Sequence, residues 1–235
     1  MNRAKPFAAL LAVLLPVPAL AQAWQCRVPP QVSVPAMPRP DGPVSRVPVA
    51  GYTLALSWSP EFCRTRQRDP AHATQCSGEA GRFGFILHGL WPEGQYGPPQ
   101  WCPARRAPDA QTVRRNLCMT PSPGLMVHEW AKHGACMTAD PGAYFTAGRS
   151  LYESLEFPDM ARLSRRPDLT AGALRDAMIA MNPALSRRMI RLKLSDRGWV
   201  QEVQLCYGRS FMPRACPAGR GGPADDVPVK IWRGI

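Results

Sequence analysis

Apolar positions along this chain fall into short runs with two different periods. Tyr52 to Trp58 alternates larger and smaller apolar side chains and stops before Pro60, the pattern of a buried strand. Phe83 to Leu87 is a second short apolar run, and it ends at His88. Met189 to Leu194 and Trp199 to Tyr207 flank Ser195-Asp196-Arg197-Gly198, which predicts a β-hairpin with glycine closing the turn. Val227 to Trp232 predicts a last strand. Between these segments lie helical signals. Asp140-Pro141 places an N-cap before a proline in the first turn and opens a helix through Leu155. Thr170 caps a helix over Ala171 to Met181, with Pro183 beyond it. Leu125 to His133 has neither Gly nor Pro, and Gly134 is placed to end that helix. Helices in the middle with strands at both ends indicate an α+β fold, a mostly antiparallel central sheet flanked by helices.

The N-terminal segment follows another rule. Arg3 and Lys5 precede an uncharged apolar run from Phe7 to Leu15, and Ala21-Gln22-Ala23 reads as a cleavage signal. A signal peptide over residues 1–23 is therefore expected, with export to a periplasm or out of the cell. The run is too short to span a bilayer. Residues 24–50 are crowded with prolines (Pro29, Pro30, Pro35, Pro38, Pro40, Pro43 and Pro48), which favour extended backbone and read as an arm or linker. Residues 51–235 carry the globular signals and form the expected folded domain. All eight cysteines lie beyond the cleavage site, so an oxidising compartment and four disulfides are expected, among about 105 possible pairings. The C-x-x-C pairs of a zinc ribbon are absent. Formal net charge is +12, mostly from arginine, whose planar fork suits phosphate. Nucleic acid, anionic lipid and acidic polysaccharide all fit such a charge, as does a basic surface kept for solubility.

Four histidines are present, His72, His88, His128 and His133, and three of them sit in two unusual segments. In His128-Glu129-Trp130-Ala131-Lys132-His133-Gly134, His128 and Lys132 are four apart on one helix face, as are Glu129 and His133. A carboxylate one turn before a histidine can hold its ring and tautomer, while Lys132 and His128 supply positive charge for a phosphate. A zinc protease would need two histidines four apart; these are five apart, so their rings diverge. In the other segment His88 meets Gly89, which lets the backbone turn closely. Trp91 and Tyr96 offer flat faces for a base, and Glu93 an acceptor for one. Packing in the core is the bland alternative for Trp91.

The segments Ile86-Leu87-His88-Gly89-Leu90-Trp91-Pro92-Glu93 and His128-Glu129-Trp130-Ala131-Lys132-His133-Gly134-Ala135-Cys136 strongly resemble the two active-site motifs of the ribonuclease T2 family. The resemblance extends from about Gly51 to the C-terminus. It implies an endoribonuclease that cleaves single-stranded RNA through the ribose 2′-hydroxyl and a 2′,3′-cyclic phosphate, without a metal or cofactor. By position it makes His88 and His133 the catalytic pair and Glu129 the supporting acid. His128 and Lys132 become the phosphate-binding and transition-state positions, and Trp91, Glu93 and Tyr96 the base-binding ones. It also implies disulfides Cys102–Cys136, Cys206–Cys216 and Cys76–Cys118, with Cys26 and Cys63 the pair then remaining. Ala135 and Glu93 depart from the usual residues; the latter bears on base preference. RNA is the expected partner, with a monomer and no obligate protein partner. An inactive RNA- or polyanion-binding module and a metalloprotease are the competing readings.

Overall fold

The structure, a computed structural model, describes residues 23–104, 106–217 and 222–234; the signal-peptide reading therefore lies almost wholly outside the described residues. A four-stranded antiparallel sheet has the order β4-β2-β6-β5: β2 is Gly51–Trp58, β4 Phe85–Glu93, β5 Ile190–Leu194 and β6 Val200–Tyr207. Two residues of β1 (Ala23–Trp24) pair separately with β3 (Arg82–Phe83). The helices are α1 (Ser59–Cys63), α2 (Ala73–Cys76), α3 (Ala110–Asn116), α4 (Pro123–Lys132), α5 (Pro141–Glu153), α6 (Met160–Leu163) and α7 (Ala171–Met181). This is the α+β architecture expected.

Side-chain alternation divides the sheet into two faces. Leu54 and Leu56 of β2, Leu90 of β4, Val203 and Leu205 of β6 and Leu192 of β5 are buried on one face. They join a core with Met126 and Trp130 of α4, Tyr144 and Tyr152 of α5, and Leu174 and Met178 of α7. The opposite face carries the small and polar members of the same strands. Ser57 pairs across the ladder with Glu202, and Glu202 with Lys193. The helices on the core side begin as the sequence indicates: Asp140 and Thr170 cap α5 and α7 by accepting from Gly142 and Ala173 backbone N–H groups. Ser122 does the same for α4, which starts earlier than expected because Pro123 is tolerated in a first turn.

Several expectations are corrected. His88 does not end a strand; β4 continues to Glu93. Val227 to Trp232 forms isolated bridges, Thr170 to Pro228 and Trp199 to Lys230, rather than a strand, since Pro228 has no N–H to donate. Gly134 enters a 3₁₀ turn, Gly134–Cys136, rather than a left-handed cap. Its need for glycine is steric: a Cβ there would lie 2.6 Å from Trp130 and 2.8 Å from Tyr144. The Pro-rich segment is no free linker. Val28, Val32, Val34 and Met37 pack against the core, and Ser45 bridges Gln100. Disulfides Cys102–Cys136 and Cys206–Cys216 are present, but the other two are Cys26–Cys118 and Cys63–Cys76. The implied Cys76–Cys118 and Cys26–Cys63 pairs do not form. The short loop joining α1 to α2 brings Cys63 to Cys76, and the docked arm carries Cys26 to Cys118.

Candidate functional site

A bulge aims His88. Along the β2–β4 ladder Ala55 pairs with Gly89 and Leu56 with Leu87, so His88 is an extra residue on β4. The freed backbone is taken up by the chain before α4: Leu87 N–H donates to Met119 and Thr120 Oγ1 to the Leu87 carbonyl. The His88 ring thereby reaches the polar face of the sheet. Its Nδ1 lies 2.9 Å from Glu202 Oε1 and 3.1 Å from Ser57 Oγ. Its Nε2 lies 3.5 Å from Glu129 Oε1. Burial alone would push this imidazole down, but the two hydrogen-bonded carboxylates Glu129 and Glu202 overcome that and hold its pKa up, at about 10.

Glu129 comes from α4 and passes directly over Gly89. A Cβ at Gly89 would stand 2.0 Å from Glu129 Oε2, so this glycine serves close approach rather than a turn. Glu129 Oε2 accepts from Trp91 Nε1 at 2.6 Å. Burial pushes the Glu129 carboxyl up, yet the bond and charge of His88, the His133 charge and the Trp91 donor bring it below its ordinary value. This corrects the expected role. Glu129 bonds Trp91 and faces His88 rather than holding the His133 ring, since His133 lies past the end of α4 as its C-cap.

His133 packs against the indole of Trp91, centroids 5.5 Å apart, while His88 packs against the same indole at 5.3 Å. Trp91 thus stands between the two imidazoles. His133 Nδ1 is buried and has no hydrogen-bond partner among the described residues. Burial pushes its pKa down; the Glu129 charge opposes this, but Lys132, His128 and His88 add to it, and the value falls to about 4. At neutral pH one imidazole is therefore charged and the other is not.

Lys132 and His128 lie beside them. Lys132 Nζ donates to both oxygens of Asp41 in the arm, at 3.0 and 3.1 Å, and Asp41 also accepts from Trp101 Nε1. That contact with Lys132 holds the exposed Asp41 carboxyl below its usual range. His128 packs edge-on against Trp101. A cleft of about 880 Å³ is lined by His88 and His128 and continues past Ser57 and Glu202.

Not every expected residue reaches this place. Glu93 is buried at the end of β4, opposite Gly51, accepting from Thr53 Oγ1 at 2.6 Å with Arg191 at 3.6 Å. Tyr96 is 90% exposed, and neither residue borders the cleft. Trp91 is committed to Glu129 and the two rings. Glu202, Ser57 and Asp41 were missed. Period-two alternation puts Ser57 and Glu202 on the polar face of their strands, a signal that was there to read; nothing local marks Asp41. Among the described residues no group of three His, Cys, Asp or Glu is arranged to hold a metal ion.

With this geometry in place, comparison with known proteins adds a lineage. The sequence pattern of the ribonuclease T2 family matches residues 50–165, the stretch that holds both histidine motifs. A ribonuclease of Aeromonas hydrophila is 37% identical over 115 residues, 49% of this chain and 50% of that one. A probable ribonuclease of Haemophilus influenzae is 29% identical over 186 residues, 74% of this chain and 64% of its own length. The chain thus spans between half and two thirds of these relatives. Among solved structures, an RNase-related protein from Calystegia sepium superposes with a TM-score of 0.61 at 21% identity, covering 77% of this chain and 97% of that one. RNase NT, solved in complex with 5′-AMP, gives 0.54 at 21% identity over 78% and 98%. A sheet bulge that exposes one motif histidine, a helix that brings the second motif beside it, and a matching sequence pattern over both have one reading: this chain belongs to the ribonuclease T2 family.

Proposed function

We propose that the protein is an exported, metal-independent endoribonuclease acting on single-stranded RNA by transesterification. Neutral His133 takes the proton of a ribose 2′-hydroxyl, and that oxygen attacks the adjacent phosphorus. The P–O5′ bond breaks, and protonated His88 gives its proton to the leaving 5′-oxygen. The products are a 2′,3′-cyclic phosphate and a 5′-hydroxyl; water then opens the ring with the two imidazoles exchanging roles. Lys132 and His128 stabilise the charge that gathers on the phosphoryl oxygens. The observation that carries this reading is the placement of two imidazoles on either side of Trp91, with His88 and His128 opening on a cleft and with surroundings that push the His88 pKa up and the His133 pKa down. It favours His133 as base and His88 as acid. The base must be unprotonated and the acid protonated, so kcat/KM is expected to hold between about pH 4 and about pH 10.

The test is digestion of a defined oligoribonucleotide in chelator beside its all-DNA counterpart. The expected outcome is RNA fragments ending in cyclic phosphate and intact DNA, because DNA lacks the internal nucleophile. His88→Phe and His133→Phe should each lower kcat by about 10²- to 10⁴-fold. Cleavage of the DNA, loss of all activity in chelator, or binding of RNA with no cutting would each refute the proposal.

A further inference from the structure

The Pro-rich arm lies before the residues that the family pattern matches, 50–165, yet it sets a carboxylate against the second histidine motif. Gln100 and Trp101 fix its route there, because they are tied on both sides. Gln100 and Ser45 of the arm exchange backbone hydrogen bonds at 2.9 Å, and Gln100 Nε2 donates to the Pro43 carbonyl at 3.0 Å. Trp101 N–H donates to the Lys132 carbonyl at 2.7 Å, at the end of α4. Trp101 is 5% exposed and has a φ of 57°, a left-handed conformation that a bulky residue keeps only where its surroundings impose it. The next residue, Cys102, is bridged to Cys136 at the end of the motif.

One indole thereby serves three groups. Trp101 Nε1 donates to Asp41 Oδ1 at 3.0 Å, its ring meets His128 edge-on at 5.5 Å, and the Lys132 ammonium lies 5.6 Å from its centre. Asp41 Oδ1 accepts from Lys132 Nζ as well, at 3.0 Å, while Oδ2 accepts from Nζ at 3.1 Å. Lysine carries a compact charge on a flexible stem, and a donor aids a transition state most when it is fixed beforehand. An ammonium has three N–H groups, of which Asp41 engages two at most, so one is left for a phosphoryl oxygen. Asp41 is itself held by the buried indole, which makes it a fixed support rather than an anion that substrate phosphate displaces.

This inference rests on the proposed reaction, in which Lys132 stabilises charge on the phosphoryl oxygens. We propose that Asp41 is a positioning residue for that reaction: seated on Trp101 Nε1, it aims the Lys132 ammonium at the scissile phosphate. Asp41 touches no reacting atom and acts through Lys132 alone. The atom that matters is Oδ1, which receives both donors. The arm is then a working part of the site.

The experiment measures kcat and KM on the defined oligoribonucleotide for Asp41→Ala and Asp41→Asn, each alone and beside Lys132→Ala. Asp41 is exposed, so neither variant opens a core cavity. Asp41→Ala is expected to lower kcat by about 10- to 10²-fold with KM nearly unchanged, as for a misaimed group that acts in the transition state. Asp41→Asn keeps an oxygen at the Oδ1 position for both donors and should recover most of that loss. In the Lys132→Ala background, Asp41→Ala should change kcat little, because the group it positions is gone. Trp101→Phe, which keeps a ring and removes the indole N–H, should lower kcat and add little to the effect of Asp41→Ala. A rise in kcat/KM on Asp41→Ala, with tighter inhibition by inorganic phosphate, would make the contact autoinhibitory and overturn the proposal. Unchanged kcat in Asp41→Ala, equal losses in the Ala and Asn variants, or an undiminished loss beside Lys132→Ala would overturn it too. Each of those results leaves the ribonuclease reading standing, whereas failure of the unaltered protein to cut the RNA overturns both.

Discussion

At the scale of residues, the site turns on how one imidazole is charged and its neighbour is not. His88 faces two carboxylates, Glu129 from α4 and Glu202 from β6, with Ser57 Oγ beside Nδ1. Beside it stand His128 and Lys132 of α4 and the C-cap His133, with Lys193 3.8 Å from the Glu202 carboxylate. Glu202 touches no reacting atom in the proposed reaction; it is a positioning residue that fixes Nδ1 and leaves Nε2 toward the cleft and Glu129. Glu202→Gln keeps a hydrogen-bonding partner but removes one of the two charges that sustain the raised His88 pKa. Its alkaline limb in kcat/KM is therefore expected to move to lower pH, with the acid limb set by His133 staying in place. A full pH–rate profile of the variant checks this. A uniform drop in rate with both limbs unmoved would mean that Glu202 only supports the fold. The motif resemblance identified His88, Glu129, His128, Lys132 and His133, all of which surround one place. It could not identify Glu202, which lies 114 residues beyond His88 and meets it only through strand pairing.

At the scale of elements, the Pro-rich arm is the segment whose behaviour was least legible. Proline content excluded helix and central strand, and that much follows from the lost N–H and fixed φ. Whether such a segment floats or docks depends on apolar side chains finding a surface, and on Cys26 finding Cys118. Once docked, the arm delivers Asp41 to Lys132 and Trp101. The two corrected disulfides make this testable. Cys26–Cys118 joins residues 92 apart in sequence, and Cys63–Cys76 joins residues 13 apart. Closing the longer loop removes more entropy from the unfolded chain, by about 1–2 kcal/mol on the loop-length dependence. Cys26→Ser with Cys118→Ser should therefore destabilise the protein more than Cys63→Ser with Cys76→Ser, read as urea unfolding free energies. An equal or reversed order would show that the arm contributes little to the folded state.

At the scale of the whole molecule, the two imidazoles tie stability to pH in opposite directions. The folded-state pKa of His88 is raised from 6.5 to about 10, so its contribution is complete below pH 6.5 and is lost as pH rises through about 10. That of His133 is lowered from 6.5 to about 4, so folding is penalised progressively as pH falls from 6.5 through about 4. Glu129 and Glu202, both lowered, add stability that is present above their ordinary pKa and lost in acid. Unfolding midpoints in urea should therefore peak between about pH 6 and 7 and decline toward pH 10. His88→Gln should remove much of that alkaline decline, and an undiminished slope in the variant would separate His88 from it. The sequence by itself determined the strands β2, β5 and β6, the caps Asp140 and Thr170, the α+β class and the residues of both motifs. These depend on side-chain period, backbone preference and neighbours close along the chain, all written locally. Tertiary structure alone decided that a bulge turns His88 toward Glu202, that Glu129 serves His88 and Trp91 rather than His133, that Glu93 and Tyr96 stay out of the cleft, and which cysteines meet. Each of those outcomes is a contact between segments distant in sequence, fixed by sheet order and register, and no local pattern encodes which distant partner a side chain will reach.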